Sequence, residues 1–191
     1  MAGNCQRFAK LSLIEMIKRN FYVITGGPGG GKSSLLDCLA SKGYGHIPET
    51  ARQLIKERVL QNLSPRPDAE VFAMETFHKD WTNFSSNLQL SSPLFFDRSF
   101  MDSAWLLFKA EPRSFIKIQK VCLKNRFNNR VFITPPWEEI YCNDNERDQS
   151  FNEAIEVYEQ LGEWYEQHDY DLIVLPKDSI ENRVKFIFEH M

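Results

Sequence analysis

FYVITGGPGGGKSS, residues 21–34, decides how this chain is read. An apolar run of strand length, FYVIT, passes directly into nine residues that hold five glycines and a proline. Within them Gly26, Gly31, Lys32 and Ser33 keep the spacing G-x-x-x-x-G-K-S, the phosphate-binding loop pattern, between a buried strand and a helix expected from about Ser33 to Ser41. Gly26, Gly27, Gly29, Gly30 and Gly31, with Pro28 among them, leave room for several backbone N–H groups to turn inward around an anion. Lys32 is then placed to reach terminal phosphates, Ser33 to hold Mg²⁺ through its hydroxyl, and Ser34 to open a helix whose positive end faces the ligand. The competing account is a plain glycine turn between strand and helix.

The chain's 191 residues are enough for one sizeable core, and 42% hydrophobic with 26% charged residues is ordinary for a globular protein. A net charge of −3 gives no electrostatic reason to expect nucleic acid or an anionic membrane as partner. Cys5, Cys38, Cys122 and Cys142 lack metal-ligand spacing and read as reduced thiols. With no signal-like N-terminus and no apolar run of membrane-spanning length, the expected location is cytoplasmic.

Apolar segments of strand length recur at residues 21–25, 44–48, 94–96, 131–133 and 172–175, separated by stretches of helical period. Strands alternating with helices predict an α/β fold with a parallel sheet covered on both faces. Met74, Phe77, Trp81, Phe84 and Leu88 form the inward stripe of a long helix starting near Asp68. Ile155, Tyr158, Leu161 and Tyr165 form a second stripe, opened by a Ser150/Glu153 capping box, and Ile180, Val184 and Ile187 a third. Residues 1–20 read as an N-terminal extension, with a short outer helix at residues 11–17, and residues 21–191 as one domain.

The remaining motifs narrow the class. Neither Asn-Lys-x-Asp nor Asp-x-x-Gly occurs, which argues against a guanine-specific GTPase, and a Ser-Gly-Gly signature of ABC type is also missing. HIPETARQL at residues 46–54 and LFFDRSFMDSA at residues 94–104 lie just past the second and third strands, beside the glycine loop. The Pro48-Glu49 pair and the Asp97-Arg98-Ser99 triplet resemble the corresponding motifs of the deoxynucleoside kinases and their nucleoside-kinase relatives. Over residues 20–190 the chain is still more similar to a family of small P-loop ATPase/kinase-like proteins of largely undefined substrate, grouped with AAA-type ATPases. That resemblance implies a three-layer P-loop kinase fold, strand order 2-3-1-4-5, a small lid at about residues 136–150, and ATP with Mg²⁺ as cofactors.

It also implies roles. Glu49, at the end of a strand, is the expected general base, with helix capping or pairing with Arg52 as the competing account. Asp97 is expected to support Mg²⁺ through water, or else to form a structural ion pair with Arg98. Arg98 would steady the transferred phosphoryl group or the acceptor, Arg52 and Asp102 would help hold the acceptor, and Asp102 is the alternative base. Arg147 is the arginine expected to cross the phosphates from the lid, unless it pairs with Asp144 or Glu146. Adenine is expected near residues 176–179. Lys109, Arg113, Lys117, Lys120, Lys124, Arg126 and Arg130 make the segment 101–130 locally basic, either a greeting surface for an acidic partner or a solvated face.

The reading is an ATP-dependent phosphotransferase acting on an unidentified small-molecule hydroxyl or phosphate, with a nucleotide-dependent regulatory switch acting through a protein partner as the alternative and a structural domain as a third. Acceptor identity and oligomeric state are not legible.

Overall fold

A computed structural model describes residues 16–141 and 150–191. Its strands are β1 (Met16–Ile17), β2 (Phe21–Gly26), β3 (Gly45–Ile47), β4 (Leu94–Asp97), β5 (Asn125–Arg126), β6 (Arg130–Thr134) and β7 (Asp171–Val174). Its helices are α1 (Lys32–Ser41), α2 (Thr50–Leu60), α3 (Ala69–Ser86), α4 (Phe100–Ala110), α5 (Pro112–Lys124), α6 (Phe151–Gln167) and α7 (Ile180–Glu189). A single 3-10 turn, Glu138–Ile140, follows β6.

The five predicted strands pair in parallel in the order β3-β4-β2-β6-β7, which in their own sequence is 2-3-1-4-5. Every residue of β2 is buried. Because side chains alternate along a strand, β2 feeds two cores. Phe21 and Val23 join Phe96 and Val131 beneath α3, α4, α5 and α6. Tyr22 and Ile24 join Phe95 and Phe132 beneath α1 and α7. Layers of helix, sheet and helix result, as expected of strands that are apolar on both faces.

Local chemistry sets the helix ends. Asp68 accepts a hydrogen bond from the Glu70 amide and opens α3, and Ser150 with Glu153 forms the expected capping box at α6. A second capping box, Ser99 with Asp102, starts α4. The helix expected over residues 11–17 is not what Met16 and Ile17 adopt. They form β1, paired in parallel with Asn125 and Arg126, while residues 11–15 lie outside the described part. One turn of helix is unfavourable in isolation, whereas the β5 edge offers backbone partners immediately. Residues 18 and 20 stitch this end of the chain to the domain: Lys18 Nζ donates to the carbonyl of Leu88 at 2.8 Å, and Asn20 Nδ2 to that of Ser92 at 2.7 Å.

The basic segment is spread over α4, α5, β5 and β6 and is not one uniform face. Arg126 is buried, donating to the carbonyls of His168 and Asp169, and Arg130 donates to those of His190 and Met191. Lys109 lies over the Trp105 ring and bonds Gln160.

Phe84 is wholly buried among Phe21, Trp81, Phe100 and Phe127. Phe84→Ala is expected to cost about 3–5 kcal/mol of unfolding free energy through lost burial and a residual cavity, read from urea unfolding midpoints.

Candidate active site

All five strands of the main sheet run the same way, so their carboxyl ends lie along one edge, where parallel α/β sheets form their ligand crevices. Gly26, Glu49, Arg98 and Thr134 follow or end these strands there. A cleft of about 1000 Å³ opens at this edge, with Glu49 and Arg98 among its lining residues.

The glycine loop forms its floor. Gly29 has φ +77°, a left-handed conformation that side chains strain to adopt, and a Cβ on Gly27 would overlap the Ala154 carbonyl oxygen. Lys32 folds back beneath the loop, its Nζ donating to the carbonyl of Gly27 at 2.7 Å. Burial, aided by Arg98 and resisted by Asp97, Glu49 and Asp102, lowers its pKa to about 8. The ammonium is therefore sheltered within reach of the cleft and charged at neutral pH. Ser33 and Ser34 are exposed on the same wall.

Glu49 sits just before α2. Its Oε2 accepts from Arg52 Nε at 2.8 Å and its Oε1 from Arg98 Nε at 3.2 Å, while its side chain makes no capping bond. Burial raises its proton affinity, but Arg98, Lys32 and Arg52 outweigh it and hold the carboxyl below the usual range. Arg98 has φ +66°, a turn that brings its guanidinium back over the sheet edge. Burial disfavours its charge, yet Glu49, Asp102 and Asp97 keep it firmly protonated. Its ion pairs run to Glu49 and Asp102.

Asp102 is 3% exposed. Its Oδ2 accepts from the Ser99 amide at 2.9 Å, the Ser99 hydroxyl at 3.2 Å and Tyr165 Oη at 2.6 Å. Its Oδ1 accepts from the Thr25 hydroxyl and from Arg98 Nη1 at 3.4 Å. Both oxygens are thus engaged by the protein itself.

Asp97 faces a smaller opening of about 280 Å³, shared with Ser33, His46, Glu49 and Arg52. It is 6% exposed and its Oδ1 has no hydrogen-bond partner among the described residues. Burial raises its pKa to about 6, Glu49 adding to the effect and Lys32, Arg98 and Arg52 opposing it. An orphaned carboxylate oxygen beside a serine hydroxyl is a donor set that suits Mg²⁺, which binds few protein oxygens and completes its shell with water and phosphate.

Arg147 and the centre of the expected lid lie outside the described residues. Trp137, Ile140, Asp178 and Ser179 line the end of the cleft where adenine was expected.

Two side chains in this cleft escaped the sequence reading. Arg183, on α7, is 2% exposed; its Nη2 donates to the Gly30 carbonyl at 3.1 Å, its Nε has no hydrogen-bond partner among the described residues, and its guanidinium lies 5.9 Å from the Trp137 ring. Asp80, on α3, is 9% exposed and accepts from Ser103 Oγ at 2.9 Å, with the Thr50 hydroxyl as a second partner. Burial pushes its pKa up to about 7, Asp102 and Glu49 adding to the effect. Each interrupts an apolar stripe: Asp80 falls between Phe77 and Phe84, and Arg183 between Ile180 and Ile187. A charge at an inward-facing helical position is the signal that would have found them.

The parallel sheet, the glycine loop between β2 and α1, and the strand order define a P-loop kinase-like α/β protein. Residues 21–183 match the AAA domain family, and the chain belongs to it. No curated protein matches the sequence significantly. Among solved structures, the chain is similar to deoxyadenosine kinase from M. mycoides with products dCMP and a flexible dCDP bound: TM-score 0.65 at 13% identity, covering 89% of this chain and 97% of that one. The same kinase with bound dATP gives a TM-score of 0.58 at 15% identity, covering 89% and 98%. NadR protein in complex with NR gives a TM-score of 0.68 at 14% identity, covering 96% of this chain and 53% of that one, so the present chain spans about half of NadR.

Asp80 should leave a pH signature on stability. Its folded pKa, about 7, lies above the unfolded value, so between about pH 4 and pH 7 the folded state binds more protons and this group's contribution falls as pH rises. The charged groups around it are Asp102 and Glu49, with Arg98, Arg66 and Lys109 elsewhere on the cleft wall. Asp80→Asn should therefore gain roughly 2–4 kcal/mol relative to the wild type between pH 5 and pH 8, measured by urea unfolding at both values.

Proposed function

We propose that this protein transfers the γ-phosphoryl group of Mg²⁺-ATP to the hydroxyl of a small, nucleoside-like acceptor. The observation that carries this reading is that Glu49 and Arg98 meet at 3.2 Å on the wall of the same cleft whose floor is the glycine loop. A base and a phosphoryl-binding cation are paired where an acceptor hydroxyl would approach the terminal phosphate. The fold likeness to a deoxyadenosine kinase and to NadR, together with membership of a P-loop family, supports the same class.

In this reading the triphosphate lies along Gly27, Pro28, Gly29, Gly30 and Gly31, and Lys32 Nζ exchanges the Gly27 carbonyl for phosphate oxygens. Ser33 and Asp97 would hold Mg²⁺, which neutralises charge on the phosphates when bound. Arg98 turns its fork of donors toward the transferring group. As it does so, it lifts part of the electrostatic restraint on Glu49, whose proton affinity then rises toward what a general base requires. The acceptor oxygen attacks the γ-phosphorus in line, its bond to phosphorus forming as the bridging bond to ADP breaks, and its proton passes to Glu49. Arg52 keeps the Glu49 carboxylate turned into the cleft. Asp102, already saturated with donors, holds Arg98 in position. Trp137 and Arg183 border the adenine end, and Arg147 would reach the phosphates from the lid.

Glu49→Gln tests the assignment. Acceptor phosphorylation should fall about 10²- to 10⁴-fold, the usual value of a general base, with the ATP concentration needed for half-saturation little changed. A nucleotide-dependent switch would instead keep its slow hydrolysis in this variant. ADP formation from Mg²⁺-ATP should be stimulated by a pool of nucleosides and abolished in Lys32→Ala; hydrolysis that no pool stimulates would reject the transferase reading.

A further inference from the structure

The acceptor arm of the cleft ends on α3, where Phe72, Thr76 and Asp80, spaced four residues apart, turn one helical face toward the cavity. Asp80 is the buried charged group on that face, and its environment is lopsided. Two neutral hydroxyls favour its charge, Ser103 Oγ through a hydrogen bond at 2.9 Å and Thr50 from nearby, and Ser103 Oγ is itself shared with the Phe100 carbonyl. The charged groups that raise its proton affinity are carboxylates, Asp102 and Glu49, and among the described residues no cation forms an ion pair with it. A buried carboxylate without a cation is costly, which is reflected in its raised proton affinity. Two aromatic rings also line this cavity, Phe72 and Trp105, the second with Lys109 Nζ 4.9 Å over its ring.

Resting on the proposed transferase reading, we infer that Asp80, oriented by Ser103 and Thr50, is the specificity determinant for the acceptor and selects a planar ring whose buried edge donates hydrogen bonds. An amino-bearing base or a carboxamide-bearing ring meets this description; a ring with a carboxylate or only carbonyl oxygens at that edge does not. An acidic edge at Asp80 would set two like charges against each other, because Arg98 and Arg52 are already engaged by Glu49 and Asp102. A donating edge would supply the polar partner that the protein withholds, with the ring covered by Phe72 and Trp105. Thr50 directly follows Glu49, so the chain that orients Asp80 also carries the candidate base. A ligand anchored at Asp80 by its ring can therefore offer a sugar-like hydroxyl to Glu49 at the other end of the same arm.

The test uses the full chain loaded with Mg²⁺ and a non-hydrolysable ATP analogue, titrated calorimetrically with matched pairs: cytidine against 2-pyrimidinone riboside, adenosine against purine riboside, and nicotinamide riboside against its nicotinic acid counterpart. In at least one pair the compound with the amino or amide edge should bind about tenfold or more tightly than its partner, the worth of one hydrogen bond to a charged group. Asp80→Asn, nearly isosteric, should bring that ratio to about one, and Ser103→Ala should reduce it partly. Thermal unfolding and analogue binding verify that each variant is folded and loaded. An unchanged ratio in Asp80→Asn, or a preference for the acidic or deamino partner, overturns the assignment of Asp80 and leaves the transferase reading standing. Binding of the analogue with no binding of any nucleoside overturns both.

Discussion

The carboxylate of Asp102 is the point on which the site's architecture depends. It belongs to the first turn of α4, yet it binds Thr25 at the end of β2, Ser99 and Arg98 at the β4–α4 junction, and Tyr165 on α6. Removing an ionised carboxylate from water is costly unless its lone pairs are satisfied, and here five donors converge on it. Each donor comes from an element that must be in register for the cleft to exist. The central strand, the crossover into α4 and the helix packed across both are thereby fixed relative to one another at the residue before Gly26.

From that anchor the charges of the cleft follow. Asp102 holds Arg98, Arg98 reaches Glu49, and Glu49 also takes Arg52. With Lys32 and Asp97 the set contains three cations and three carboxylates, so the protein comes close to neutralising its own site. A triphosphate carrying several negative charges would unbalance this arrangement and compete for Lys32 and Arg98. In the proposed reaction the groups that would bind phosphate are the same groups that restrain Glu49, so loading of the triphosphate would be coupled to release of the base. Asp97 stands apart: its orphaned oxygen lies on the Ser33 side of the sheet edge, away from the knot around Asp102.

The sequence carried the framework well because the signals were local and strong. Strands buried on both faces read as continuous apolar runs, the glycine loop had a full motif in the right context, and Ser150/Glu153 marked a helix start. Positions that depend on two distant segments were not legible. Nothing near Tyr165 indicates that its hydroxyl meets Ser99 and Asp102, and Arg183 reaches Gly30 across 153 residues of chain. Asp102 reads from the sequence as a group that helps hold the acceptor and as the alternative base; the competition for its oxygens becomes visible only when α6 and β2 are placed beside it. Met16 and Ile17 show the same limit at the edge, where a partner strand 109 residues away decides between helix and strand.

The glycine loop itself has a second reason to lack side chains. Anion binding requires backbone N–H groups to be accessible, but the protein also packs against the loop from outside. A Cβ on Gly27 would overlap the carbonyl of Ala154 on α6, and one on Gly29 would enter the ring of Tyr141. Tyr141 in turn meets Phe151 edge-on, with ring centroids 5.3 Å apart, so the two ends of the segment between β6 and α6 are brought together against the loop. The same α6 that touches Gly27 near its N-terminus carries Tyr165 to Asp102 near its C-terminus. Glycine at these positions therefore serves packing and recognition at once: it lets α6 lie close enough to brace the loop while its later turns lock the Asp102 knot that holds Arg98.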